Sequence, residues 1–358
     1  MSFARIVFLW MSLTILAGSP VAGAEAVVVS RLIDVSDGEA AASDFAWRGD
    51  GRQVVVLSRL LRRVGVFDVA TGRLSARLEN LAGGAASVAF DAHGDVVCGP
   101  VDHPAAAATI WDHRTGSRRS LPGPHGSTTD SSGNKLLEFA LDGESGRLIG
   151  VYQLPAGSTE RVALALYELP SGRLLRVKGP AAMWVAISPG GDRVAYRGRG
   201  GALQILNLNE GGAPISISAH TGGVDVTAWS PDGRLVATGG KARAMIRDPQ
   251  SKVVNTVPDP WTLKLWDSKT GEPRGGAELP ALTKTISFSP DGRLIAASDG
   301  AGTVHLIDAA DPVRAVAAIA APAPQTVIAR FSPDGRWLGR LLTATSHLSI
   351  DDVKPVER

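Results

Sequence analysis

The sequence lacks several features on which whole classes of protein depend. Cys98 is the only cysteine among 358 residues, so an internal disulfide and a cysteine-rich zinc site are both excluded. An excess of one charge is also missing, since 37 lysines and arginines against 35 acidic residues give a formal net charge of +2. Nucleic-acid binding requires a basic excess, and we therefore expect no nucleic-acid partner.

Long apolar runs are confined to the first residues. Arg5 precedes an apolar run over residues 6–18, which is shorter than the roughly 18 residues needed to span a bilayer. Ala22-Gly23-Ala24 then supplies the small residues that a signal peptidase reads. We predict a secretory signal peptide over residues 1–24 and a mature chain, 25–358, that is periplasmic or extracellular. An uncleaved membrane anchor is the alternative, and the shortness of the run disfavours it.

Sequence motifs for catalysis are absent. The chain contains no G-x-S-x-G nucleophile elbow, no P-loop and no H-E-x-x-H metal motif. His93, His103 and His113 lie near Cys98, but their ten-residue spacing is better explained by turn positions than by a metal site. We therefore predict no catalytic residue, no metal ligand and no cofactor.

A five-residue turn, SPDGR, is present three times. In such a turn Pro favours the first central position, Asp caps the backbone and Gly accepts positive φ. Related turns place a glycine at seven positions, separated by 42 to 59 residues. These glycines are Gly51, Gly94, Gly146, Gly191, Gly233, Gly292 and Gly335. Most of the separations are near the roughly 40 to 45 residues of a four-stranded propeller blade.

A second landmark follows each of these glycines, namely a strand that ends in a bulky residue and a polar one. The pairs are Phe67-Asp68, Trp111-Asp112, Tyr167-Glu168, Leu206-Asn207, Trp266-Asp267, Ile307-Asp308 and Ile350-Asp351. With the strings ATIWDHRTG and LKLWDSKTG, the chain resembles the WD-repeat (tryptophan-aspartate repeat) β-propeller family over almost all of residues 25–358. The resemblance implies an all-β, seven-bladed propeller in which antiparallel strands a, b, c and d form each blade.

The seventh unit has too few residues after Asp351 to form its own outer strand. Residues 26–35 form a strand-like segment that precedes the first complete unit. We predict that this segment pairs with the strand at 347–351, because ring closure removes exposed sheet edges.

Most of the extra length in the repeat units falls in loops on one face of the propeller. In an antiparallel meander the a–b and c–d turns share one face, and the b–c and d–a loops share the other. The largest insertion lies in the b–c loop of the fifth unit, with smaller additions before and within the third. Because arginine and aromatic residues on exposed loops often anchor interfaces, we predict an interaction loop there. Its candidate residues are Lys241, Arg243, Met245, Arg247, Lys252 and Trp261. A solvated loop whose Trp261 folds back onto the blade is the alternative.

The family resemblance also implies a structural hydrogen-bond set within the fifth blade. It suggests that His220 bonds Thr238 and packs near Trp266. The aspartate that usually completes this set is missing, because the insertion occupies its turn. A histidine that is simply packed in the core is the alternative.

The sequence therefore favours an exported, non-enzymatic, monomeric scaffold that binds a protein or peptide partner through its b–c/d–a face. A lactonase-like or quinone-dependent propeller enzyme, with a metal or cofactor at the channel mouth, is the alternative. A propeller resembling the periplasmic Tol proteins is a third, which shares the SPDGR turn but lacks the repeated Trp-Asp ending. The fold alone does not decide among them.

Overall fold

The computed structural model describes residues 28–36, 42–81, 87–99, 108–123, 135–154, 162–178, 184–210, 212–240, 246–247, 254–255, 263–312 and 315–353. These residues form seven four-stranded antiparallel sheets, each a blade, and one two-stranded ribbon. A single 3-10 turn over Arg199–Gly201 is the only helix within them. None of the described residues forms a helix with the length and hydrophobicity needed to cross a bilayer.

The first strand of the described chain, β1, covers Val28–Asp34 and belongs to the last blade. Blades 1 to 4 then follow in chain order. Blade 1 contains β2 (Asp44–Trp47), β3 (Gln53–Ser58), β4 (Arg63–Asp68) and β5 (Leu74–Leu78). Blade 2 contains β6 (Ala89–Phe90), β7 (Val96–Cys98), β8 (Thr109–Trp111) and β9 (Arg118–Ser120). Blade 3 contains β10 (Lys135–Asp142), β11 (Arg147–Gln153), β12 (Val162–Glu168) and β13 (Arg173–Lys178). Blade 4 contains β14 (Ala186–Ile187), β15 (Arg193–Arg197), β16 (Leu203–Asn207) and β17 (Ile215–Ile217).

The remaining blades keep the same a-to-d order, with one insertion. Blade 5 contains β18 (Val224–Trp229), β19 (Leu235–Gly240), β22 (Leu263–Asp267) and β23 (Pro273–Ala277). The ribbon strands β20 (Ile246–Arg247) and β21 (Val254–Asn255) lie between β19 and β22 in the chain. Blade 6 contains β24 (Thr283–Phe288), β25 (Leu294–Asp299), β26 (Val304–Asp308) and β27 (Ala315–Ile319). Blade 7 contains β28 (Val327–Phe331), β29 (Trp337–Leu342) and β30 (His347–Asp352), with β1 as its outer strand.

The repeated turns fold as their residues predict. All seven landmark glycines have positive φ, between 65° and 77°, where a side chain would be strained. In the blade 5 turn the Ser230 hydroxyl donates to Asp232 Oδ1 at 2.6 Å and accepts from the Leu235 amide at 2.9 Å. The same bonds recur at the other two SPDGR turns. One short sequence therefore forms the same hairpin in blades 5, 6 and 7.

Ring closure occurs as predicted from the sequence. Strand β1 pairs antiparallel with β30, in a register that runs from Val28 opposite Asp352 to Asp34 opposite His347. The Arg31 guanidinium also donates to the backbone oxygen of Val69 in blade 1. Both ends of the described chain therefore lie in one blade, and that blade is tied to its neighbour.

The hydrophobic core consists of layers between neighbouring blades. In one layer Leu348 and Ile350 of blade 7 pack with Phe45 and Val54 of blade 1, and all four are at most 2% exposed. Burial of each large apolar side chain is worth roughly 1.5–3 kcal/mol, so these layers hold the blades together.

One sequence landmark, in blade 7, was wrong by one residue. Trp337 pairs with Asp352 and Leu338 pairs with Asp351. In blade 5 the corresponding pairs are Leu235 with Asp267 and Val236 with Trp266. Asp352 is thus the terminal polar residue, and Asp351 takes the place of the bulky one. The pattern misled because Asp351 is fully buried, where an apolar side chain is expected.

Candidate functional site

The base of the blade 5 insertion is tightly built. Strands β19 and β22 pair directly up to Gly239 and Leu263, so the insertion connects two strands that are hydrogen-bonded to each other. A Cβ on Gly240 would overlap the carbonyl oxygen of Gly223 and lie 2.7 Å from Cγ of His220. The d–a loop therefore packs against the first residue of the insertion's base, and only glycine fits there.

Three buried side chains lie directly below this base. Thr238 Oγ1 is 3.0 Å from His220 Nε2 and accepts the indole N–H of Trp266 at 2.9 Å. All three side chains are at most 9% exposed. The hydroxyl thus joins the d–a loop, strand b and strand c of blade 5. The position of the usual aspartate lies in the insertion, most of which is outside the described residues.

The predicted interaction loop is described only in part. The backbone of Arg247 pairs with Val254, and that of Ile246 pairs with Asn255, in a short antiparallel ribbon. Lys241, Arg243, Met245, Lys252 and Trp261 lie outside the described residues. The interface assignment therefore stays a prediction.

Blades 4 and 5 make close contact beside Gly240, at the base of the insertion. A Cβ on Gly201 would lie 2.7 Å from Cα of Gly223, so the b–c loop of blade 4 touches the d–a loop of blade 5. The Arg197 guanidinium forms an ion pair with Asp225 at 3.1 Å, and both side chains are partly buried. These contacts fix the surface from which the insertion extends.

Sequence reasoning missed an exposed tryptophan on the same face. Trp184, in the d–a loop before β14, is 40% exposed and has a φ of 72°. Positive φ is unfavourable for a bulky side chain, and such strain is concentrated at functional positions. In the sequence Trp184 stands in the apolar run AAMWVAIS, which gives no sign of this backbone conformation.

A buried carboxylate supports this strained segment. Oε1 of Glu138, on strand a of blade 3, accepts the backbone N–H of Val185 at 2.9 Å. Burial raises the pKa of Glu138, although hydrogen bonds from the Val185 and Trp184 amides oppose that rise. Glu138 therefore links blade 3 to the segment that presents Trp184.

Groups that could support catalysis are scattered in the part of the chain that the structure describes. No three His, Cys, Asp or Glu residues there come close enough together to hold a metal ion. His113 packs near the rings of Phe90 and Trp111, and burial lowers its pKa. Burial raises the pKa of the Cys98 thiol to about 12, so it is protonated at neutral pH. His103 lies outside the described residues.

Comparison with known proteins finds a family match over one repeat of the chain. The family model "WD domain, G-beta repeat" matches residues 213–246, which include β17, β18 and β19. SVP1-like protein 2 of Neurospora crassa is 30% identical over 122 residues, covering 34% of this chain. The aligned part spans 25% of that relative's length.

A solved structure shares the whole architecture. A chain of the "Crystal Structure of Mitotic Checkpoint Complex" superposes with a TM-score of 0.68, covering 98% of this chain and 99% of the other. The two sequences are 17% identical, so the likeness concerns the fold. The recurring turns and the closed ring of seven blades show that this chain folds as a seven-bladed β-propeller, in which residues 213–246 match the WD-repeat model.

Proposed function

We propose that this propeller is an exported, non-enzymatic scaffold that binds a protein or peptide partner through its b–c/d–a face. The blade 5 insertion, with Lys241, Arg243, Met245, Arg247, Lys252 and Trp261, is the proposed main contact. The WD-repeat fold is compatible with this role, and the solved neighbour comes from a structure described as a complex.

One observation carries the proposal. Because β19 and β22 already pair up to Gly239 and Leu263, a tight turn would suffice to connect them. The chain instead has residues 241–262 between these strands, on a base packed against His220 and Gly223. A long loop on a rigid base is the usual arrangement for recognition by a propeller or another stable scaffold.

Trp184 gives the proposed face a second anchor. Its exposed indole lies on the b–c/d–a side, and tryptophan is enriched among the residues that contribute most to binding energy. We expect Trp184→Ala to weaken partner binding without unfolding the protein, because the side chain is partly exposed.

Affinity capture from an exported fraction tests the proposed face. The bait is the intact protein or a variant in which a two-glycine turn replaces residues 241–261. We expect the variant to keep its thermal unfolding temperature and to lose the partners of the intact bait. The matched control is Arg293→Glu, which changes an exposed charge at the a–b turn of blade 6 and should retain them. Recovery of the same partners by the loop-less bait would refute the interface.

Export has a separate test. Cell fractionation and mass spectrometry of the N-terminus should find a chain that begins at Glu25 outside the cytoplasm. A chain retaining Met1 in the cytoplasm would contradict export and leave the binding proposal intact.

A further inference from the structure

A cavity of about 390 Å³ opens on the opposite side of the ring, at the seam between blades 7 and 1. Its walls include the a–b turn of blade 1 at Gly51 and the c–d turn at Ala70. The buried side chains of Val69 and Ile350 and the half-buried ring of Trp337 supply its apolar surface. Its volume lies within the roughly 300–1,000 Å³ typical of small-molecule sites.

Two of the three charged side chains that line this cavity already have hydrogen-bond partners within the protein. Arg31 donates to the backbone oxygen of Val69. Asp68 Oδ1 accepts both the amide and the hydroxyl of Thr71, each at 2.7 Å. The Arg52 guanidinium is exposed and has no hydrogen bond or ion pair with any other described side chain or backbone group. Arg52 therefore keeps all of its guanidinium donors available at the cavity.

Trp337 supplies a second available donor. The indole N–H groups of Trp47, Trp229 and Trp266 donate to Arg330 O, Ala186 O and Thr238 Oγ1. That of Trp337 has no acceptor within the described part of the chain. Its ring is covered on one side by the Arg336 guanidinium, 4.5 Å from the ring centroid. The ring is thus held in place while its N–H is left unused.

We propose that this cavity binds a small organic acid. The carboxylate would accept from Arg52 and from the indole N–H of Trp337, and the apolar part would lie on Val69 and Ile350. An uncommitted guanidinium suits a carboxylate, because such charge-assisted bonds are stronger than neutral ones. The site is on the a–b/c–d side, so it is separate from the proposed protein-binding face.

Isothermal titration calorimetry with 1-naphthylacetate and its neutral amide, 1-naphthylacetamide, tests this proposal. We expect saturable binding of the acid and at least tenfold weaker binding of the amide. Arg52→Gln should weaken acid binding about tenfold, and Trp337→Phe should weaken it several-fold. Arg234→Gln is the matched control, because Arg234 occupies the same turn position in blade 5 and does not line the cavity.

Two further ligands test whether the cavity prefers the carboxylate of a small organic acid or that of a peptide C-terminus. Octanoate represents an aliphatic acid, and N-acetyl-glycyl-leucine represents the C-terminus of a peptide. We expect octanoate to bind in competition with naphthylacetate, and the peptide to bind at least tenfold more weakly. Equal binding of acid and amide, equal effects of Arg52→Gln and Arg234→Gln, or tighter binding of the peptide would each overturn the proposal. Circular dichroism and thermal unfolding of each variant verify that the ring is intact.

Discussion

Blades 5 and 7 have a side-chain hydrogen bond between the same two sheet positions, but the donor lies on different strands. In blade 5, Trp266 on strand c donates its indole N–H to Thr238 on strand b. In blade 7, Arg340 takes the place of Thr238 and Asp351 that of Trp266, as the strand registers show. Here strand b donates, through the guanidinium of Arg340, to the carboxylate of Asp351.

This difference shows how a repeat can keep its geometry while its chemistry changes. The blade 5 bond joins uncharged groups, whereas Arg340 and Asp351 form an ion pair that is at most 5% exposed. Ser349 also donates to Asp351 Oδ1 at 2.6 Å. Blade 6 has Ala297 and Ile307 at the same two positions, so an apolar pair is compatible with the fold. The repeat therefore fixes which positions face each other, and the residues of each blade determine whether the contact is neutral, ionic or apolar.

The largest expected loss in the free energy of unfolding comes from breaking the Arg340–Asp351 ion pair of blade 7. Asp351→Leu leaves the Arg340 guanidinium buried without its counter-charge, and such changes cost about 3–5 kcal/mol. Chemical denaturation, with the slope compared between proteins, measures this loss in the free energy of unfolding.

The double variant Arg340→Met with Asp351→Leu is the control for that experiment. Replacing both partners by apolar groups is often neutral or stabilising, and Nη1 of Arg340 is buried without a partner among the described residues. We expect the double variant to recover most of the loss seen for Asp351→Leu, with about 1–3 kcal/mol remaining because the buried Ser349 hydroxyl loses its acceptor. If it is as unstable as Asp351→Leu, packing at this position matters more than charge.

A smaller effect is expected in blade 5. Thr238→Val keeps the side-chain shape but removes the acceptor for Trp266 and the partner of His220. The loss should be about 1–3 kcal/mol, because neutral buried groups lose their hydrogen bonds. Denaturation of Thr238→Val beside Asp351→Leu compares the two blades directly. A loss equal to that of Asp351→Leu would remove the distinction between neutral and ionic pairs.

The SPDGR turns of blades 5 and 7 should contribute equally to the free energy of unfolding. Ser230→Ala and Ser332→Ala each remove a hydroxyl that bonds the turn aspartate and a following amide. Each should lower the free energy of unfolding by about 1 kcal/mol. Thermal unfolding of both variants checks this equality, and a markedly larger loss in one blade would show that identical turns are used differently.

The smallest expected loss in the free energy of unfolding comes from Asp232 in the blade 5 turn, and it depends on pH. Burial alone would raise the pKa of Asp232, but hydrogen bonds from the Ser230 hydroxyl and the Arg234 amide outweigh it and hold the pKa below the ordinary 3.8. An acid with a lowered pKa stabilises the folded state above its unfolded pKa, and this contribution disappears as the pH falls through the folded pKa. Asp232→Asn should therefore be less stable than the parent at pH 7, with a gap that narrows below about pH 4. Denaturation midpoints across this range measure the gap, and a constant gap would exclude a role for the charge.

Much of the fold could be predicted from the sequence because its signals are local. A turn such as SPDGR determines its own hydrogen bonds, and its recurrence revealed the number of blades. Closure by β1 followed from the missing outer strand of the seventh unit. Such features depend on neighbouring residues and on the general cost of open sheet edges.

The site was less predictable because its features depend on residues far apart in the chain. The strained backbone of Trp184 is supported by Glu138 from another blade, and no local pattern marks that contact. The register at Asp351 was misread because its partner, Arg340, compensates for a charge that sequence reasoning places outside the core. The cavity beside Arg52 exists only where the first and last blades meet.

Site-specific photo-crosslinking tests the central claim most directly, namely that the blade 5 insertion is the partner-binding surface. A photoreactive phenylalanine would replace Met245 in the insertion, or Arg293 on the opposite face as control. Irradiation of the exported fraction is expected to yield a discrete crosslinked partner from position 245 and none from position 293. The same crosslinked species from both positions, or from position 293 alone, would contradict the account.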